Sequence, residues 1–151
     1  MCVLLCFCVG AIGASASMTT QTFYTSLTQP NWAPPAWLFG PVWSVLFLLM
    51  AIAVFLVWRV DGVQRNILAL SMFLCQLAAN GLWSWLFFAW QLGALALIEL
   101  LLLWLLIGVN VYLFWRIQPL AAVLLLPYWL WVSFAGMLNY SLWQLNTSLL
   151  G

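Results

Sequence analysis

The sequence predicts an all-α membrane protein: one bundle of five transmembrane helices, a single domain over residues 1–151. Three observations carry this. Apolar residues make up 68% of the chain. Charged residues make up 3%, where a soluble domain carries about 25%; Arg59, Asp61, Arg65, Glu99 and Arg116 are all of them, too few to cover a globule in water. Finally, the apolar residues fall into five runs, each close to the roughly 20 residues that cross a bilayer.

The first run, about residues 1–18, is apolar with small residues toward its end. A signal peptide is the rival reading of its Ala/Ser cluster, but no positive segment precedes it, so a first span is preferred. Residues 19–40 break the pattern: a dense run of polar side chains and three of the six prolines lie here. They form a long first loop, with a short helix near Thr22–Thr28, and Pro34-Pro35 forbids a continuous helix. The second span covers about 41–58, with Pro41 acceptable at its start, and the charged RVDGVQR segment follows as a short loop. The third span covers about 66–89. A tight connection at Gln91–Gly93 leads to the fourth, about 94–115. Arg116-Ile-Gln makes a short turn before the fifth, about 119–145, in which Pro127 predicts a kink or a freed carbonyl.

Five spans put the chain ends on opposite sides of the membrane. All three arginines then belong to the second and fourth loops. The positive-inside rule favours a cytoplasmic N-terminus, most simply in a bacterial inner membrane, or in the mitochondrial outer membrane in a eukaryotic setting.

Composition also removes function classes. With no lysine and a net charge of +1, the chain cannot neutralise a run of phosphates, which excludes nucleic-acid partners. It has no histidine, which removes Ser/His and Cys/His catalysis and His-ligated metals and haem. Cys2, Cys6, Cys8 and Cys75 contain no C-x-x-C pair and read as small packing residues. No metal site and no required cofactor are expected.

The anomaly is tryptophan, with twelve residues. Trp32, Trp37, Trp58, Trp90 and Trp115 sit at span ends and fit an interfacial belt. Trp104, Trp129 and Trp131 lie deeper, where an indole N–H needs a partner or the ring a stacking ligand. Topology places Trp43, Asn80, Trp83, Phe87, Trp131, Ala135 and Asn139 in one half of the membrane, beneath the long first loop. Gln76, Asn80, Trp83 and Phe87 follow i, i+4, i+7, i+11 spacing, and Trp131, Ala135 and Asn139 follow i, i+4, i+8, so each set is one helical stripe. Together they line a pocket with aromatic walls and a polar spot. Glu99 is the acid within a span, read either as a functional group facing the bundle interior or as a protonated carboxyl bonded to a neighbouring helix. Ser71, Cys75 and Ala79 recur every four residues and offer a close-packing face, within the bundle or against a second copy.

Three segments resemble the tryptophan-rich sensory protein family, also called the translocator protein or peripheral-type benzodiazepine receptor family. They are Gln29-Pro-Asn-Trp-Ala-Pro-Pro running on through Phe39-Gly-Pro-Val-Trp43 to Phe47; Gln76-Leu-Ala-Ala-Asn80 with Trp83 and Phe87-Phe88; and Pro119 through Pro127-Tyr-Trp-Leu-Trp131-Val-Ser-Phe-Ala135 and Leu138-Asn-Tyr140 to Asn146. The resemblance implies a five-helix bundle, often homodimeric, that binds porphyrins and related tetrapyrroles, sterols and synthetic aromatic ligands under a lid. It implies Trp43, Asn80, Trp83, Trp131 and Ala135 as pocket residues, and Trp32, Pro34 and Pro35 as shaping the lid. Some members break down porphyrins in light, which implies Trp43 and Trp131 as the catalytic residues if that chemistry exists here. The sterol motif of animal members is incomplete, because Ser-Leu-Trp-Gln-Leu follows Tyr140 without Lys or Arg. The reading is therefore a membrane binding and sensing protein for a flat, apolar tetrapyrrole of porphyrin or haem type, partnered by the bilayer, possible lipids or sterols and a second copy of itself. The alternatives are a light-dependent porphyrin-degrading enzyme and a sterol or tetrapyrrole transporter.

Overall fold

The computed structural model describes residues 23–151, and the expected first span at 1–18 lies outside them. All regular structure among the described residues is helical. Four helices are long and apolar enough to cross a membrane. They are α1 (Phe39–Arg65), α2 (Ile67–Ser84, continued by a wider π turn at Trp85–Ala89), α3 (Gly93–Ile117) and α4 (Pro119–Leu145); a single turn, α5 (Thr147–Leu150), follows.

Each helix buries one stripe. On α1 this is Leu46, Met50, Val54 and Val57; on α3 it is Ala96, Leu100, Leu103, Ile107 and Phe114. The spacing is that of a helix with one face inward. Only a third of each apolar stretch is buried inside the bundle. The remainder, including Leu68, Ile98, Leu102, Leu105, Leu130 and Met137, is exposed and apolar, a surface stable only against lipid.

The helix ends differ from the expected ones in one place. The second span is expected to stop at Trp58 before a charged loop, but α1 continues through that segment to Arg65. Its apolar part ends at Val60, near the expected boundary. Gly62 takes a left-handed φ of +71°, which other residues rarely adopt. The buried Asn66 amide answers this distortion by donating to the carbonyls of Val57 at 3.0 Å and Gly62 at 3.1 Å. Charge alone predicts a loop there, whereas one asparagine keeps the backbone bonded. Elsewhere the agreement is close: α4 has the expected bounds, with Pro119 in its first turn, and it runs on through an exposed Pro127.

The turn between α2 and α3 closes on Gln91, whose φ is +56°. Leu92 N–H donates to Leu86 O at 3.0 Å and Trp90 N–H to Trp85 O at 2.9 Å, which satisfies carbonyls at the helix end.

Packing makes a ring in the order α1, α4, α3, α2. The α3–α4 seam is the tightest. A Cβ on Gly108 would lie 3.1 Å from Trp129 Cζ2, and one on Gly93 would lie 3.0 Å from both Leu150 Cβ and Trp143 Cδ1. Two of the deep tryptophans belong to this seam. Trp104 Nε1 donates to Ser133 Oγ at 2.8 Å, Trp129 Nε1 donates to Trp104 O at 3.1 Å, and their rings are 5.0 Å apart. Their N–H groups are therefore satisfied by packing. Helices α2 and α4 share no broad face, and the space between them holds the site described next.

Candidate ligand-binding site

The site begins with what lies diagonally across the ring. From α2 it takes Trp83 and Phe87, whose rings stack 5.8 Å apart at 13°. Phe88 stands edge-on to both. The opposite wall comes from α4: Ala135, Leu138, Asn139 and Leu142. The top is closed by Tyr24 and Phe39, themselves an edge-to-face pair at 5.2 Å. The partly open cavity measures about 20 Å³, the room of about one water molecule.

Below it, Asn80 Nδ2 donates to the Tyr128 hydroxyl at 3.1 Å. Asn80 is one turn deeper than Trp83 on α2, and Tyr128 two turns deeper than Ala135 on α4, so the pair forms a polar floor. Elsewhere in the bundle several buried polar atoms make no hydrogen bond among the described residues: Gln76 Oε1, Trp83 Nε1, both Glu99 carboxyl oxygens, Asn110 Oδ1 and Asn139 Oδ1. Glu99 is buried on α3. Among the described residues its carboxyl meets no hydrogen-bond partner, so the bond to a neighbouring helix, one of its two expected readings, is not found there.

Residues 23–38 are the described part of the segment expected as a lid, and Tyr24 brings it to the cavity. Residues 23–26 are helical, and Tyr24 and Leu27 are buried. The Tyr24 hydroxyl donates to Pro34 O at 2.9 Å, Gln29 Nε2 donates to Tyr24 O at 2.6 Å, and Ala33 N–H donates to Pro30 O at 2.9 Å. Burial pushes the Tyr24 phenol above its ordinary pKa, so it stays a neutral donor. Pro35 is extended, with φ −64° and ψ 145°, and turns the chain into a short 3-10 segment at Ala36–Leu38 that opens α1. Asn146 ties the lid to the bundle by hydrogen bonds. Asn146 Oδ1 accepts from Thr28 N–H at 2.8 Å, and its Nδ2 donates to Thr28 O at 2.9 Å and to Leu142 O at 2.9 Å.

Of the expected pocket residues, Trp83, Phe87, Ala135 and Asn139 line the cavity together. Asn80 lies in its floor. Trp43 and Trp131 stand beside it, on the seam between α1 and α4. Trp43 is edge-on to Tyr128 at 6.3 Å, and Trp131 is edge-on to Phe39 at 6.1 Å. Trp131 is therefore one ring removed from the cavity, and Trp43 touches the Tyr128 ring beneath it. In the lid, Pro34 accepts the Tyr24 bond, Pro35 sets the turn, and Trp32 packs edge-on against Phe134 at 5.8 Å. Sequence reasoning passed over Tyr24, Phe39, Leu138, Leu142, Tyr128 and Asn146. Leu138 and Leu142 continue the Ala135 stripe at i+3 and i+7, a signal that was present. Tyr24 and Asn146 act through contacts distant in sequence, and no local pattern announces those.

No cluster of metal-ligating side chains occurs among the described residues. The arrangement can place a flat apolar group against a stacked pair of rings, on a surface without polar atoms.

Comparison with known proteins agrees with the motifs. The TspO/MBR family model matches residues 2–144. The chain is 39% identical over 145 residues to protein CrtK of Rhodobacter capsulatus, covering 93% of this chain and 88% of that one. It is 38% identical over 151 residues to the tryptophan-rich protein TspO of Chlorobaculum tepidum, covering 97% and 94%. It is 36% identical over 126 residues to the translocator protein of Homo sapiens, covering 82% and 75%. With an all-helical fold, apolar spanning helices and a family match along nearly its whole length, the chain belongs to the TspO/MBR family of integral membrane proteins.

Proposed function

We propose that the protein binds and senses a planar tetrapyrrole of the porphyrin class in the cavity between α2 and α4. The observation that carries this reading is the stacked Trp83–Phe87 wall, parallel to within 13°, facing an otherwise apolar α4 wall beneath a closable lid. Flat rings stack well on such faces, and an apolar site with few polar groups suits a large aromatic ligand. At about 20 Å³ the cavity admits such a ligand only after Tyr24 and Phe39 move outward with the lid. The expected first span at 1–18 completes a five-helix bundle in this reading. The arginines on the side away from the lid favour a cytoplasmic N-terminus, and a second copy packs through small residues such as Ser71 and Cys75, both exposed on α2.

A second reading, porphyrin breakdown in light, is favoured by two oxidisable rings near the cavity: Trp131, one aromatic contact from it through Phe39, and Trp43, against the Tyr128 ring beneath it. One experiment separates the two. Purified protein is titrated with protoporphyrin in the dark, then illuminated while the porphyrin absorbance is followed. Binding with a stable absorbance supports sensing, and protein-dependent loss of absorbance supports the enzyme. Absence of saturable binding removes both.

A further inference from the structure

Beyond α4 the backbone folds back as the single turn α5. Thr147, Ser148 and Leu149 are exposed there, whereas Leu150 is 1% exposed. Leu150 lies over Gly93, the first residue of α3: a Cβ on Gly93 would stand 3.0 Å from Leu150 Cβ and 3.0 Å from Trp143 Cδ1. Trp143 Nε1 also donates to Gly151 O at 2.7 Å. One helical turn is not stable by itself, so this seat holds it. Asn146 is the joint between the turn and the lid. Its carbonyl accepts from Leu149 N–H at 3.0 Å and from Leu150 N–H at 2.9 Å, within α5. Its backbone leaves the helical region, with φ −133° and ψ 43°. Its buried side chain holds both backbone groups of Thr28.

From this we infer that α5 is a latch for the lid. Leu150 seated on Gly93 fixes the Asn146 backbone, and that backbone aims the Asn146 amide at Thr28. When Leu150 leaves its seat, Asn146 is free to rotate and its two directional bonds to Thr28 are lost together. Tyr24 and Leu27 stay buried, so the lid loosens without unfolding. Neither Asn146 nor any residue of α5 lines the cavity. Both are positioning elements, and they govern ligand exchange from a place the ligand does not touch. Gly93 carries the latch on one side, and on the other its carbonyl accepts from Asn139, a residue of the cavity wall, at 3.1 Å. The inference rests on the reading that residues 23–38 cover a ligand cavity, and it adds how that cover is released.

The test reads the lid without a ligand, by hydrogen exchange of the Thr28 amide, whose acceptor is Asn146 Oδ1. The full chain is measured by NMR in detergent micelles. Leu150→Ala is expected to speed Thr28 exchange about tenfold, the worth of about one hydrogen bond, while buried α4 amides such as Val132 keep their protection. Leu149→Ala, at an exposed position of the same turn, is expected to leave Thr28 unchanged. Leu150→Ala added to Asn146→Leu is expected to give no further acceleration, because one acts through the other. If Leu150→Ala fails to fold, Trp143→Phe decides. It keeps a ring and removes the bond to Gly151 O, and it too should speed Thr28 exchange. Unchanged Thr28 exchange in the deciding variant, equal acceleration at Val132, or an equal effect of Leu149→Ala overturns the latch. A parallel protoporphyrin titration keeps the two readings apart. Saturable binding with unchanged Thr28 exchange overturns the latch alone, and faster Thr28 exchange without saturable binding overturns the porphyrin reading alone.

Discussion

Asn80 and Tyr128 are joined through the centre of the bundle: the amide of one donates to the phenol of the other at 3.1 Å, linking helices that share no broad face. The same phenol ring is edge-on to Trp43. The bond therefore sets how far apart α2 and α4 stand, and with it the width of the cavity above.

Tyr128→Phe keeps the ring and removes the acceptor. Asn80 Nδ2 is then buried without a partner. Interhelical hydrogen bonds in membranes are worth about 0.6 kcal/mol on average and rarely above about 1.7. The variant is expected to lose about 1 kcal/mol of stability, measured as a lower midpoint in thermal unfolding in detergent. An unchanged midpoint would mean the bond is not formed.

Replacing Trp43 and Trp131 by Phe tests the rings beside the cavity. Each substitution keeps an apolar ring, and aromatic contacts are worth about 0.5–1.5 kcal/mol. Porphyrin affinity should fall by roughly tenfold or less for each. Any light-driven loss of porphyrin should fall further, since it draws on the indole. Trp58→Phe and Trp115→Phe, at exposed positions far from the lid, should change neither. Equal effects from all four would remove these two tryptophans from the site.

Asn146→Leu removes both hydrogen bonds to Thr28. The lid should open more often, raising ligand on-rates and off-rates together while the equilibrium constant moves less. Stopped-flow quenching of tryptophan fluorescence reads both rates. Changing Pro34 and Pro35 to Gly acts on the same segment by loosening its backbone, and should raise the off-rate with a smaller effect on entry.

Gly93→Ala places a Cβ 3.0 Å from Leu150 Cβ and Trp143 Cδ1. Overpacking of this kind costs about 1–3 kcal/mol. Gly40→Ala, with nothing within 4 Å, is the matched control and should be neutral or slightly stabilising. Comparing the two unfolding midpoints checks the packing between α3 and the end of α4.

Most of the fold was legible because a bilayer leaves few options: an apolar run of sufficient length must be a helix. That logic placed α4 to the residue, and Gln76, Asn80, Trp83 and Phe87 on one buried stripe. It failed at 59–65, where charge implied a loop and the Asn66 side chain instead carries the helix on. In the site, periodicity gives which face of a helix is inward but not what lies opposite. Trp43 and Trp131 were therefore grouped with Trp83 by depth, although neither lines the cavity. Asn146 was invisible as a lid contact, because its partner Thr28 is 118 positions away in the chain.

The closed lid over a space the size of one water has a thermodynamic consequence. The form that can accept a large ligand is a minority of the population, and the apparent dissociation constant is the intrinsic one divided by that minority fraction. Whatever raises the fraction, whether a detergent, a thinner bilayer or a neighbouring copy pressing on α1, strengthens binding without touching a single ligand contact. On the proposed reading, a protein of this build therefore reports the state of its membrane as well as the abundance of its ligand.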